Sequence, residues 1–199
     1  MGDIDDKISE AVDKAHESRL NTVIAALVAI SATFMALNNV KDGNIVQAMQ
    51  QAQASSVDEW AYYQAKGTKQ NLAISAREQV ELLRDINTNV APEVRALLEK
   101  RITEYTAMEK KYESEKEEIK HKAEGFQKQY DDLNVHDDQF DMAEALLSVA
   151  IALFGVTALT RKRWLLGVAI VFATFGVVLG LAGFVGWNLH PDWLARLLG

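Results

Sequence analysis

Six side chains able to hold a hard cation or move a proton stand close together: Asp131, Asp132, His136, Asp137, Asp138 and Asp141. Oxygen-rich clusters of this kind bind Ca²⁺ or Mg²⁺, which makes His136, Asp137, Asp138 and Asp141 the candidate metal ligands. The twelve-residue loop with a closing Glu is missing. The simpler expectation is therefore Asp137 or Asp138 as a helix N-cap, with the other carboxylates in water. Glu144 follows within a turn. A carboxylate at bilayer depth marks an ion or proton path. At the amino end of a helix near the interface it is stabilised by the helix dipole instead, and that is the expectation here. His16, His121 and His190 are isolated. No Ser/His/Asp pattern, glycine-rich phosphate loop or His-Glu-x-x-His is present. The absence of cysteine excludes disulfides, thiolate zinc sites and Cys nucleophiles. The chain is expected not to be an enzyme and to carry no cofactor or resident metal.

The elements around these residues are written for two solvents. Residues 20–37, 142–160 and 164–187 are apolar and long enough to cross a bilayer, and the last holds no charge over 24 positions. Between the first two lies a highly charged stretch with one proline, Pro92, near its middle. Helix formers dominate and no strand-like alternation appears, so the expected fold is an all-α membrane protein. It comprises three transmembrane helices with a long antiparallel coiled-coil helical hairpin inserted between the first and second. The expected divisions are an amphipathic lead-in (1–19), span one (20–40), the hairpin (41–139), span two (140–160), a turn (161–163), span three (164–187) and a tail (188–199). The lead-in rests on Ile4, Ile8, Val12 and Ala15 at near-helical spacing. Its acidic character, from Asp3 to Glu17, does not read as a cleavable signal peptide.

Lys and Arg in short flanking segments orient such a chain. Arg161, Lys162 and Arg163 fill the turn between spans two and three, and Lys7, Lys14 and Arg19 precede span one, against Arg196 alone after span three. The amino end and the 161–163 turn are thus expected in the cytoplasm, the hairpin and carboxy-terminal tail outside. Trp164 and Trp187 bracket span three as interfacial anchors do. A net charge of −7 and a pI near 5.1 argue against a nucleic-acid partner.

Lys41-Asp42-Gly43-Asn44 reads as a turn just past span one. The hairpin arms are expected at about 44–89 and 92–132, each ~60–70 Å long. They are separated where asparagines end one helix and Pro92 opens the next. On the return arm Leu98, Tyr105, Tyr112, Ile119, Phe126 and Leu133 repeat every seven residues, a seam that faces a partner if the helices supercoil. A second seam, Ile102, Ala123 and Tyr130, is interrupted by Glu109 and Lys116. On the outgoing arm Met49, Ala52, Trp60, Ile74, Val80, Leu83 and Ile86 are the expected apolar contacts. Facing positions should sum to roughly 180, given the break near residue 90.

Each span carries small residues at three- and four-residue spacing: Thr22, Ala25, Ala29, Ala32 and Ala36; Ala145, Ser148, Ala152 and Gly155; Ala169, Ala173, Gly176, Gly180 and Gly183. Close backbone approach through such residues is a main attraction between helices in lipid, within a protomer or between protomers. A homo-oligomer is the expected assembly, with the lipid bilayer as the other partner.

The string Trp60-Ala61-Tyr62-Tyr63-Gln64-Ala65-Lys66, with Lys69-Gln70 after it, is the most distinctive in the chain. Together with Phe140-Asp141-x-x-Glu144 and Leu159-Thr160-Arg161-Lys162-Arg163-Trp164, it resembles the bacterial family of domain of unknown function 4337. The resemblance covers most of the chain. It implies a three-span protein of the bacterial inner membrane and carries no activity with it. The chain departs from the family pattern at Asn38-Asn39-Val40-Lys41-Asp42, where a basic, histidine-containing segment is expected. Trp60, Ala61 and Tyr63 cannot all face one arm, since adjacent helical positions diverge by about 100°, so some aromatic surface remains, with Trp60, Tyr62 and Tyr63 the candidates for an intersubunit contact. A self-assembling scaffold or membrane-organising element is the first functional expectation. The alternatives are a homo-oligomeric channel lined by Thr22, Ser31, Ser148 or Thr157, and an accessory subunit docking on another membrane protein.

Overall fold

No proline interrupts the first 91 residues, and none occurs between Pro92 and Pro191. Long helices follow. The computed structural model describes residues 2–87, 89 and 91–187, with side chains from Ser18 onward, and contains α1 (Gly2–Ile86), α2 (Pro92–Thr160) and α3 (Arg163–Val185). All three are long and apolar enough in part to cross a membrane. The carboxy-terminal tail, with His190 and Arg196, and the side chains of residues 1–17 of the expected lead-in lie outside the described residues. The chain divides into two compact units, residues 1–48 with 132–199, and residues 49–131.

Two expected breaks are not formed. Lys41-Asp42-Gly43-Asn44 stays helical within α1. An added Cβ at Gly43 would meet nothing within 4 Å, so this glycine sits on an open face. Its cost in a helix, about 1 kcal/mol, is small beside the burial of Ile45 two residues on. Likewise α2 runs unbroken from Pro92 to Thr160, through the whole acidic segment. Asp137 and Asp138 are therefore mid-helix residues, not N-caps, and Glu144 has no helix amino end beside it.

The breaks that do form have local causes. The Asn87 side-chain amide and its backbone N–H both donate to the Leu83 carbonyl, at 2.9 and 3.2 Å, and end α1. Pro92 opens α2, where a missing N–H is harmless. Arg161 takes a left-handed conformation (φ 58°) and its N–H closes the last turn of α2 on the Thr157 carbonyl at 2.8 Å. Lys162 is extended and serves as N-cap of α3, which ends at left-handed Gly186 (φ 76°).

In the first unit the apolar parts of the three helices share a core. Ile24, Ala150, Phe154 and Ala169 are buried at its centre, with Leu27, Leu153, Leu166 and Phe172 packed around them. Towards the other end Phe184 tilts against Phe34 (centroids 6.4 Å apart) and meets Phe140 edge-on at 5.3 Å. Outside this core, Ile30, Leu37, Val149, Phe175 and Leu181 are exposed.

In the second unit the two helical segments run antiparallel. Ser56 Oγ donates to the Ala123 carbonyl (3.3 Å) and Lys66 Nζ to Glu115 Oε2 (2.6 Å). Lys116 Nζ donates to Gln70 Oε1 (3.1 Å), Arg77 Nε to Glu109 Oε2 (3.2 Å) and Arg84 Nη1 to Glu99 Oε1 (3.4 Å). The residue numbers of these pairs sum to 179–186, close to the expected register. On the return arm Leu98, Tyr105, Tyr112, Ile119 and Phe126 are buried or half-buried, as the seven-residue seam requires.

The outgoing arm differs from its expectation. Met49 and Ala52 are buried and Ile74 and Val80 half-buried as expected, but Trp60, Leu83 and Ile86 are exposed, and Met49, Ser56, Tyr63, Gln70, Arg77 and Arg84 form an inward stripe at seven-residue spacing. Polar side chains occupy this seam because the return arm answers them. Glu109 and Lys116, which interrupt the apolar pattern there, are the partners of Arg77 and Gln70.

Candidate functional site

The residues with chemical potential in the three-helix unit gather where α1 meets α2. Asn38, Asn39 and Asp42 lie within little more than one turn of α1, so they project to neighbouring faces. Asp42 hydrogen-bonds Asp137 on α2, with Asp141 and Glu144 also near it. The Asn39 amide, with its nitrogen turned towards α2, donates to Glu144 Oε2 at 2.8 Å. Two carboxyl groups that hydrogen-bond each other need a proton between them. Burial, then the charge of Asp137, pushes Asp42 up to about 7. Burial also raises Asp137. Its counterpart Oδ1 on Asp42 is buried without a hydrogen bond.

Asn38 is 0% exposed, and among the described residues neither its amide oxygen nor its nitrogen has a hydrogen-bond partner. It lies against α3 at Gly180, where an added Cβ would stand 2.7 Å from Nδ2 and 2.8 Å from the Phe34 ring. Gln139 is also fully buried: Nε2 donates to the Trp187 carbonyl at 2.6 Å, and Oε1 lies 3.0 Å from His136 Nδ1. This ties the carboxy-terminal end of α3 to α2. The arrangement can hold a proton at Asp42–Asp137 and tie the carboxy-terminal end of α3 to the middle of α2. Among the described residues, no three His, Asp or Glu side chains converge on a point where an ion would sit, so His136, Asp137, Asp138 and Asp141 are not brought together as ligands.

The third small-residue stripe is consumed within the protomer. Ala169, Gly176, Gly180 and Gly183 are buried and Ala173 borders the core. A Cβ at Gly176 would meet Leu147, Ala143 and Leu146, and one at Gly183 would meet the Phe140 ring at 2.8–3.2 Å. The first stripe is the opposite case: Thr22, Ala25, Ala29, Ala32 and Ala36 are all exposed, as are Ser148, Ala152 and Gly155 of the second. The polar residues suggested for a channel do not share a surface. Ser31 and Thr157 are buried while Thr22 and Ser148 are exposed, and the Thr22 and Thr157 hydroxyls donate to carbonyls of their own helices.

In the second unit Trp60 meets Tyr63 edge-on at 5.5 Å. Tyr63 turns inward under Lys116 Nζ, 4.9 Å from its ring centroid. Lys66 Nζ lies between the rings of Tyr62 (5.0 Å) and Tyr112 (5.6 Å) while bonded to Glu115, which raises the ammonium pKa and lowers that of the carboxyl. Trp60 and Tyr62 stay 37% and 50% exposed, so the aromatic string does leave surface outside the arm pairing. Arg161, Lys162, Arg163 and Trp164 are exposed at the α2–α3 connection, and Trp187 is exposed at the other end of α3.

Sequence reasoning passed over Asn38, Gln139 and the Asp42–Asp137 pair. The one available signal was polar type at core spacing: Ser31, Asn38 and Asp42 fall on the stripe that Ile24 and Ile45 bury. Asn38 and Asp42 belong to the segment that departs from the expected family pattern.

The family described as Domain of unknown function (DUF4337) matches residues 20–186, and the chain belongs to it. No curated protein and no solved structure matches the chain.

Proposed function

We propose that this member of the DUF4337 family is a non-enzymatic, self-associating membrane-organising protein of the bacterial inner membrane. In this reading the apolar parts of α1, α2 and α3 span the bilayer. The amino end and the Arg161–Arg163 connection are cytoplasmic, and the paired arms form an antiparallel coiled coil outside. The three apolar helices and the cations that flank them support the membrane reading. The heptad stripes on both arms, Met49 to Arg84 and Leu98 to Phe126, support a supercoil.

The observation that carries self-association is the exposed small-residue surface of α1 and α2. Ala25, Ala29, Ala32 and Ala36 on one helix, and Ser148, Ala152 and Gly155 on the other, are free while the glycines of α3 are used up inside. The two helices meet nearby, where Ser148 Oγ lies 3.6 Å from Met35 Sδ. In lipid such a surface lets a second copy approach backbone to backbone. The test is the mass of the protein in lipid nanodiscs, beside a variant carrying Ala29→Leu and Gly155→Leu. A discrete oligomer that falls to monomer in the variant, with helicity kept, is expected. A monomeric wild type overturns the reading.

The exposed Trp60 and Tyr62 favour a second reading, in which the arms dock on another membrane protein. It predicts a monomer in nanodiscs and a co-purifying partner from native membranes that Trp60→Ala with Tyr62→Ala releases.

A further inference from the structure

We propose that the cleft between the start of the apolar part of α1 and the start of α3 is a seat for one anionic phospholipid. The cleft holds about 330 Å³ and is lined by Arg19, Leu20 and Val23 from α1 and by Arg163 and Leu166 from α3. Its two parts match the two parts of a lipid. Arg19 and Arg163 supply a pair of guanidinium groups, and among the described residues neither makes an ion pair or a side-chain hydrogen bond. A guanidinium without a carboxylate partner is a forked donor set for a phosphate. Leu20, Val23 and Leu166 continue from the guanidinium pair onto the apolar core, where an acyl chain would lie.

The backbone adds to the same field. Arg163 is the first residue of α3, whose N-cap Lys162 makes no side-chain capping bond and whose first turn holds no acidic residue. The amino end of α3 therefore presents the positive end of its dipole, without a side-chain cap or a first-turn carboxylate, in the cleft that Arg163 and Arg19 line. A zwitterionic headgroup brings its own cation to this site and gains less. Basic clefts between membrane helices on the cytoplasmic side select anionic headgroups by this balance. The inference rests on the membrane reading above and on its orientation.

The test uses the full chain. Flotation with vesicles of phosphatidylcholine alone comes first, and failure to float overturns both the membrane reading and the lipid seat. Retention of phosphatidylglycerol against phosphatidylcholine is then counted by native mass spectrometry in neutral detergent. Three proteins are compared: wild type, Arg19→Gln with Arg163→Gln, and the charge-matched Lys110→Gln with Lys128→Gln. Wild type and the charge-matched variant should retain one phosphatidylglycerol, and the double arginine variant should bind it roughly thirtyfold more weakly. Glycerol 1-phosphate is the soluble competitor. Competition at the concentrations where phosphatidylglycerol binds means a free-phosphate site and overturns the lipid assignment. Equal retention of the two lipids, or equal loss in both variants, overturns the seat while leaving the membrane reading in place.

Discussion

Replacing Gly176 by alanine should loosen the three-helix unit, although alanine is the better helix former. An added Cβ at 176 would lie 2.9 Å from Leu147 Cγ, 3.1 Å from the Ala143 carbonyl oxygen and 3.3 Å from Leu146 Cβ. Leu147 and Ala143 are fully buried, Cγ is a branch point, and the carbonyl is backbone, so relief comes only by parting α2 from α3. Overpacking of this kind costs about 1–3 kcal/mol. The substitution also gains about 0.5–1 kcal/mol of helix propensity. The net change is a loss of roughly 0–2.5 kcal/mol, too blunt to interpret by itself. Gly43→Ala in α1 and Gly167→Ala in α3 remove the ambiguity, because a Cβ at either site meets nothing within 4 Å. Both should stabilise by about 0.5–1 kcal/mol. The difference between Gly176→Ala and these two isolates the helix contact, at about 1–3 kcal/mol or a change of roughly 5- to 150-fold in the unfolding equilibrium. Unfolding by sodium dodecyl sulfate in mixed micelles, followed by circular dichroism, measures it. Equal midpoints for the three variants would refute the close approach of α3 to α2.

Asn38→Leu removes a fully buried amide that has no partner, and should stabilise the unit by about 1–2 kcal/mol in the same assay; a loss of stability would mean that the amide is satisfied. Asp42 has its folded pKa raised from 3.8 to about 7, so the folded state binds its proton more tightly than the unfolded state does. The contribution is full below about pH 4 and is lost as pH rises to about 7. Wild type should thus weaken between about pH 4 and 7 and Asp42→Asn should weaken less, with the remaining slope coming from Asp137, which burial also raises; parallel profiles would discount the shared proton. In the arms, Glu115 has its pKa lowered by the hydrogen bond from Lys66, so that pair stabilises above the ordinary carboxylate range and fades as pH falls through it. Lys66→Ala and Glu115→Ala should each lower the melting temperature of the arms at pH 7, with a combined effect smaller than the sum of the two. Strict additivity would show that the 2.6 Å contact contributes nothing.

The helical class, the three apolar segments, the break before Pro92 and the register of the arms were legible from sequence. Each is a local or periodic property. Hydropathy is summed over neighbours, Pro92 acts on its own turn, and one short connection sets which residues of two helices stand opposite. The return-arm seam was legible for the same reason. Local signals misled where they were weak. Gly43 with Asp42 reads as a turn and the 131–141 acids read as a helix start, yet both segments remain helical because nothing there costs more than a fraction of the surrounding burial. Only the tertiary structure decided which faces meet. It placed Gly176, Gly180 and Gly183 against Leu147, Asn38 and Phe140 of the same chain, and so moved the free small-residue surface from α3 to α1 and α2. It also brought Asp42 to Asp137 and gave Arg77 and Lys116 their partners on the opposing arm. A polar residue on a helix reads the same in sequence whether it faces solvent or a complementary group far along the chain. That choice belongs to side-chain packing between distant segments, which no local period encodes.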